Sequence, residues 1–173
     1  MNLDKIADES RASIEHEDLK ILLPIVAKIE PKVILEIGMH RGYSMETWRK
    51  AFNPEILIGL EIDSKPEDAY DEIGFRWEAD SHMTQPNIPP LIDFLFIDGD
   101  HSLEGVMKDW IEYSHYVKSG GIIAFHDVLH YNKDPEVNIK PLWEELKTKY
   151  PYVEIKVGQN STGIGVIWQT QGL

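Results

Sequence analysis

The chain has 173 residues, near the usual size of one domain, and its acids outnumber its bases 30 to 17, for a net charge of −13. A groove that tracks phosphates needs clustered Lys and Arg, so neither nucleic acid nor an anionic membrane is an expected partner. Cysteine is absent, which excludes disulfides and thiolate zinc sites and suits a reducing, cytoplasmic setting.

Residues Met1 to Arg11 are polar and hold no apolar signal core. The most apolar stretch, Ile21–Ile29, is interrupted by Pro24 and Lys28, and it falls short of the roughly 20 residues that span a bilayer. Residues 1–29 read as an N-terminal helical segment, with a helix over Glu15–Ile29 leading into the first strand. The part Met1–Asp18 either covers a site or joins two copies of the chain, which leaves a homo-oligomer open. Short apolar runs then alternate with helical patterns. Lys32–Ile37, Ile56–Ile62, Arg76–Ala79, Ile92–Ile97 and Gly121–Phe125 read as buried strands, followed by Val153–Val157 and Gly163–Trp168. Helices are expected over Ser44–Phe52, Leu103–Val117 and Leu142–Lys149. The second of these presents Val106, Trp110, Tyr113 and Val117 on one face, with Lys108, Asp109 and Glu112 elsewhere on its surface. The third offers Trp143, Leu146 and Tyr150 to the core.

Alternating strands and helices predict a parallel, doubly wound sheet in a single domain spanning 1–173. The last two strands are joined by Gly158–Thr162, too short for a parallel crossover, so they should form an antiparallel hairpin. A seven-stranded, mostly parallel sheet with a C-terminal antiparallel hairpin resembles the Rossmann-like layout of class I S-adenosylmethionine-dependent methyltransferases.

Ligands of doubly wound sheets bind beyond the C-terminal strand ends, where the strand order reverses. The first strand runs out there through Glu36, Gly38, Met39, His40, Arg41 and Gly42 to Ser44. Gly38 and Gly42 permit a sharp turn and a close backbone approach. The helix that follows offers free N–H groups to a carboxylate, and Ser44 adds a hydroxyl. His40 stands where a dinucleotide loop needs its middle glycine, so a pyrophosphate is a poor fit. S-adenosylmethionine carries a carboxylate and no phosphates, and it tolerates that change. Glu61, at the end of the second strand, is the expected acceptor for the ribose hydroxyls. Asp63 is the turn residue beyond it, and Asp80 and Ser81 lie where the adenine would sit. The stretch Leu35 to Ser44, taken with Leu57 to Asp63, resembles catechol O-methyltransferase. That resemblance implies that Ser44 holds the donor carboxylate and Glu61 the ribose; the residue matching His40 is usually tyrosine in that family.

The fourth strand ends in Asp98-Gly99-Asp100-His101-Ser102, and the fifth in His126-Asp127. In the expected topology these two strands are neighbours, about 4.8 Å apart, so their ends converge. Two carboxylates and one or two imidazoles facing one crevice suit a divalent cation. A cation bound to an acceptor hydroxyl lowers its pKa, and a nearby base then takes the proton; His101 is the candidate base. Asp98 is expected to serve the donor, the reaction and the cation alike. The Asp-x-x-His pattern and the later acid resemble metal-dependent sugar O-methyltransferases of the mycinamicin type and their cephalosporin-biosynthesis relatives. The resemblance implies Asp98 and Asp127 as ligands of magnesium or manganese, with His101 as base. The position before the second acid is usually acidic in those enzymes; here it is His126, a possible third ligand if it does not point into the core. Asp100 reads as the N-cap of the following helix. His82, His115 and His130 read as surface histidines, with His130 and Tyr131 alternatively lining an acceptor pocket. The expected partner is a small-molecule or sugar hydroxyl. The alternatives are a metal-free methyltransferase, a nicotinamide-dependent oxidoreductase and a non-catalytic binding protein on the same fold.

Overall fold

A computed structural model describes residues 2–61, 76–78, 91–129 and 137–170. Two helices come first, α1 (Leu3–Asp8) and α2 (His16–Ala27). Strand β1 (Val33–Ile37), helix α3 (Tyr43–Phe52), strands β2 (Ile56–Leu60) and β3 (Arg76–Glu78), and strand β4 (Ile92–Ile97) follow. Helix α4 (Leu103–Tyr113), strand β5 (Val117–Phe125), helix α5 (Lys140–Lys147) and strands β6 (Tyr152–Ile155) and β7 (Ile164–Trp168) complete the order. The strands form one sheet in the order β3-β2-β1-β4-β5-β7-β6. All pairings from β3 to β5 are parallel, and β7 lies antiparallel to both β5 and β6. The short β6–β7 connection leaves no alternative to the hairpin.

Alternation along the strands divides the core between the two sheet faces. Ile34, Phe94, Phe96, Ile122 and Ala124 pack against Leu19, Leu22 and Leu23 of α2 and Met45 and Trp48 of α3. Leu35, Ile37, Leu95, Ile97, Ile123 and Phe125 face Val106 and Tyr113 of α4 and Leu142, Trp143 and Leu146 of α5. Because both faces are covered, the central strands read as almost unbroken apolar runs. The register places Ile37 beside Ile97, and Ile97 beside Phe125. The three strand ends are therefore flush, and Gly38, Asp98 and His126 follow side by side: Asp98 donates its N–H to the Ile37 carbonyl at 2.9 Å, and His126 donates to that of Ile97 at 3.1 Å.

The short helix α1, capped by the Asn2 side chain and anchored by buried Ala7, lies within the segment 1–29 that the sequence reads as helical. Other expectations need correction. The helix expected over Leu103–Val117 ends at Tyr113, a 3₁₀ turn covers Ser114–Tyr116, and Val117 opens the next strand. Asp109, read as a surface residue of that helix, is buried, with its carboxylate against Gly99. The N-cap of α4 is Ser102, whose hydroxyl accepts from Gly105 N at 3.0 Å; Asp100 instead accepts from Ser102 N at 2.8 Å in a tight turn. Strand β5 starts four residues before Gly121, because the glycine pair sits at an irregularity in the β4–β5 register rather than at the strand start. No helix among the described residues is long and apolar enough to cross a membrane.

Candidate active site

The site lies where the strand order reverses, between the C-terminal ends of β1 and β4, with β2 and β5 on its flanks. Gly38 has φ +82°, and a Cβ there would come within 2.1 Å of the Asp98 carbonyl oxygen. Only glycine lets the turn after β1 press against the turn after β4. His40 also adopts a positive φ, 45°, and its N–H donates to Glu61 Oε2 at 2.6 Å. The carboxylate expected to meet a ribose therefore also fixes the loop that would carry the rest of the donor.

Glu36 is fully buried and joins two groups from α3: the Ser44 hydroxyl donates to its Oε1, and Trp48 Nε1 donates to its Oε2 at 2.8 Å. Burial pushes the Glu36 pKa up to about 8, the two donated hydrogen bonds oppose that rise, and the charges of Asp98 and Glu61 add to it. The Ser44 proton is thus directed at Glu36, and a donor carboxylate near Ser44 would depend on the backbone N–H groups at the start of α3. Gly38, Met39, His40, Tyr43, Ser44 and Asp98 line one cleft, together with residues 12–14 of the N-terminal segment.

On the other side of Asp98, the side chains of Asp98, His101 and Asp127 bring one ligand atom each to within 4.8 Å of one another. His101 Nδ1 lies 2.9 Å from Asp127 Oδ2, but off the hydrogen-bonding direction, so charge rather than a well-aligned bond holds the pair. The Asp127 contact, then the charge of Asp98, raise the His101 pKa above its ordinary 6.5. His126 Nδ1 lies 3.0 Å from Asp98 Oδ1 and 3.7 Å from Asp127 Oδ1. Burial works against the charged ring of His126, yet Asp98 and then Asp127 and Asp18 outweigh it and push its pKa up to about 9. Burial alone would raise the Asp127 carboxyl, but the His101 contact and the His126 charge hold it well below the usual carboxylate range. Asp127 takes a left-handed backbone, φ 61°, which aspartate tolerates better than most side chains.

The structure thus brings together Asp98, His101 and Asp127, with His126 as a partner of Asp98 outside that three-residue group. Glu36, Gly38, His40, Gly42, Ser44 and Glu61 gather around the β1 and β2 ends. Asp63, Asp80, Ser81, His82, His130 and Tyr131 lie outside the described residues. Residues Ala12–Ile14 line the same cleft as Gly38 and Ser44, within the segment Met1–Asp18, one of whose two expected roles is to cover a site. One feature escaped the sequence reading. Asp18, 2% exposed, accepts from Val157 N at 2.7 Å, Gly158 N at 3.0 Å and the Ser161 hydroxyl, and so ties α2 to the β6–β7 hairpin. A polar residue on the apolar side of an amphipathic helix was the available signal, but its partners are about 140 residues away.

A family profile described as a methyltransferase domain matches residues 35–128, over half of the chain. The structure of the O-methyltransferase TomG from Streptomyces achromogenes, involved in tomaymycin synthesis and solved with S-adenosylmethionine, superposes with a TM-score of 0.70 at 19% identity, over 98% of this chain and 89% of that one. MycE, a methyltransferase of the mycinamycin biosynthetic pathway solved with magnesium, S-adenosylhomocysteine and mycinamycin VI, gives a TM-score of 0.69 at 16% identity, over 99% of this chain and 54% of that one. An uncharacterized protein of Acanthamoeba polyphaga mimivirus is 46% identical over 50 residues, which is 29% of this chain and 23% of the viral protein. The chain therefore aligns with about a quarter of that relative's length.

Proposed function

The chain belongs to the methyltransferase-domain family, and we propose that it transfers the methyl group of S-adenosylmethionine to a hydroxyl of a small molecule or sugar. The observation that carries this reading is the position of Asp98. It lines the cleft with Gly38, His40 and Ser44, and it is also one of the three clustered side chains with His101 and Asp127. One carboxylate thus borders both the expected donor pocket and the expected acceptor pocket, so the two adjoin, and an in-line displacement needs donor and acceptor side by side.

The N–H groups at the start of α3 receive the donor's amino-acid end, and Glu61 accepts from its ribose. The donor supplies a methyl carbon activated by a sulfonium. The acceptor oxygen forms the new C–O bond as the C–S bond breaks, and His101 takes the hydroxyl proton. Asp127 keeps Nδ1 of that ring turned toward itself, which leaves Nε2 for the proton.

The donor set fits a divalent cation such as magnesium or manganese. Asp98 and Asp127 would supply oxygens and His126, whose Nδ1 lies 3.0 Å from Asp98 and 3.7 Å from Asp127, a nitrogen, which leaves His101 as the base; such a mixed set favours manganese over magnesium. Bound there, a cation would lower the pKa of the acceptor hydroxyl. A second, metal-free reading is favoured by the pairing of His126 with Asp98 and of His101 with Asp127, which balances both carboxylates within the protein itself. Titration calorimetry with S-adenosylhomocysteine, with and without Mn²⁺, tests the donor site and its coupling to a cation. His101→Ala should keep donor affinity and lose S-adenosylhomocysteine release across a panel of hydroxylated acceptors, and Asp98→Asn should lose release as well. Loss of release in chelator, restored by Mn²⁺, selects the cation-assisted mechanism. No binding of S-adenosylhomocysteine under either condition sinks the methyltransferase reading in favour of a binding protein on the same fold.

A further inference from the structure

The turn joining β6 to β7 reaches the acceptor side of the site, and its contacts fix it there. Asp18 of α2, 2% exposed, accepts from Val157 N at 2.7 Å, from Gly158 N at 3.0 Å and from the Ser161 hydroxyl. A buried carboxylate is costly unless hydrogen-bonded, and these three donors all come from the turn. The Ser161 oxygen in turn accepts from Gly163 N at 3.0 Å, which bends the chain around Thr162. Leu129 N donates to the Thr162 carbonyl at 2.9 Å, and a Cβ at Gly163, φ +89°, would lie 2.8 Å from the Leu129 Cβ. A Cβ at Gly158 would come within 2.5 Å of the Glu15 Cβ. The turn is thus wedged between the start of α2 and the segment after β5.

Thr162 is thereby held with its hydroxyl between two groups of the acceptor side. The hydroxyl donates to the Asp127 carboxylate, which can only accept. It also lies 3.4 Å from His126 Nε2, the ring nitrogen opposite the one that meets Asp98. A hydroxyl has one proton, and here that proton is committed to Asp127. Toward His126 the oxygen therefore presents a lone pair, and Nε2 carries the N–H. The contact is long, so it sets orientation more than it adds stability. With Nε2 engaged in this way, Nδ1 faces Asp98 at 3.0 Å and Asp127 at 3.7 Å. Phe96, whose ring centroid lies 6.4 Å from that of His126, limits tilting of the imidazole.

We infer that Thr162 is a positioning residue of the acceptor site: braced by Asp18 through the β6–β7 turn, its hydroxyl takes the Nε2–H of His126 and so turns Nδ1 toward Asp98 and Asp127. The orientation stands without a cation; its consequence for metal affinity rests on the cation-assisted reading above. There the Nδ1 lone pair is the nitrogen ligand, and a hydrogen bond from the other ring nitrogen fixes the ring for it.

Two measurements on the full chain test this role. In ¹⁵N-edited NMR of the cation-free protein, the His126 Nε2–H proton should be visible in wild type, lost to solvent exchange in Thr162→Val and retained in Thr162→Ser. Valine keeps the shape of the side chain and removes only the hydroxyl's hydrogen bonds. Mn²⁺ affinity, read from the EPR signal of the free ion, should fall about ten-fold in Thr162→Val and recover in Thr162→Ser, with S-adenosylhomocysteine affinity unchanged in both. Ser161→Ala, which frees the turn from Asp18 without touching His126, should weaken Mn²⁺ binding to a smaller degree. A persistent Nε2–H signal in Thr162→Val, or none in wild type, would overturn the positioning role. Equal losses of Mn²⁺ and S-adenosylhomocysteine affinity in Thr162→Val would overturn it too, since they would mark a general loosening of the fold. If wild type binds no Mn²⁺, the cation-assisted reading fails, and the NMR signal alone decides on Thr162.

Discussion

At the scale of single residues, the site is a set of carboxylates held in different states by their surroundings. Glu36 retains its proton up to about pH 8 in the folded chain but releases it near 4.5 when exposed. Between those values the folded state binds more protons than the unfolded one, so by linkage its contribution to stability is full below 4.5 and is lost as the pH rises through about 8. Glu36→Gln keeps the shape and an acceptor oxygen for Trp48 Nε1, turns the Ser44 hydroxyl from donor to acceptor, and does not titrate. Thermal melts of this variant should lose that part of the decline, leaving the one above pH 6.5 due to His126, pushed up to about 9, and to His101, also raised. A wild-type slope between pH 4.5 and 6.5 in the variant would show that Glu36 is ionised in the fold. Glu61 acts differently, since one of its oxygens already receives the His40 N–H. Glu61→Ala therefore removes a ribose acceptor and loosens the donor loop, and donor affinity measured by calorimetry should fall about ten-fold or more, the usual effect of losing a charge-assisted hydrogen bond. The His101 pKa lies above 6.5 because of Asp127, and a base works only when unprotonated. Methyl transfer should thus rise with pH through that elevated value, and the rise should vanish in His101→Ala.

At the scale of elements, function depends on how closely two turns approach. The turn after β1 and the turn after β4 meet at Gly38, where a methyl group would lie 2.1 Å from the Asp98 carbonyl and the backbone φ is +82°. Gly38→Ala should cost about 3 kcal/mol, from the clash and the left-handed backbone together. Denaturant unfolding measures that cost, and a loss under about 1 kcal/mol would mean that the two turns can separate. The same element-level view explains the two sides of the site. Strands β1 and β2 carry the residues proposed for the donor, and strands β4 and β5 those proposed for the acceptor. The β6–β7 hairpin supports the latter from behind: Leu129 N donates to the Thr162 carbonyl at 2.9 Å, and the Thr162 hydroxyl lies 3.4 Å from His126 Nε2.

At the scale of the whole molecule, the acidic chain gathers carboxylates at the C-terminal ends of its parallel strands, where Glu61, Asp98 and Asp127 converge. A cation that binds only the folded state stabilises all of it by mass action. With Mn²⁺ at a hundred times its Kd, the unfolding free energy should rise by about 2.7 kcal/mol. Asp127→Asn should remove most of that gain. Equal Tm values with and without Mn²⁺ in wild type would leave the metal-free mechanism, in which the two histidines balance the carboxylates.

The sequence by itself determined the fold class, the strand and helix succession, the terminal hairpin and the residues at the strand ends. These follow from local signals: apolar runs of strand length, helical spacing, the glycines of Gly38–Gly42 and a connection too short to cross over. It placed Glu61, Asp98, His101 and Asp127 at strand ends because chain order and topology put them there. Tertiary structure decided what those groups touch. His126 turned to Asp98 because the flush register of β4 and β5 sets the two side by side. Asp109 went inside because the Gly99 turn passes over it. Asp18 and Arg11 found partners on the distant hairpin and on α3. A carboxylate's partner and the closure of a cleft depend on segments far apart in the chain, and periodicity reports only on near neighbours.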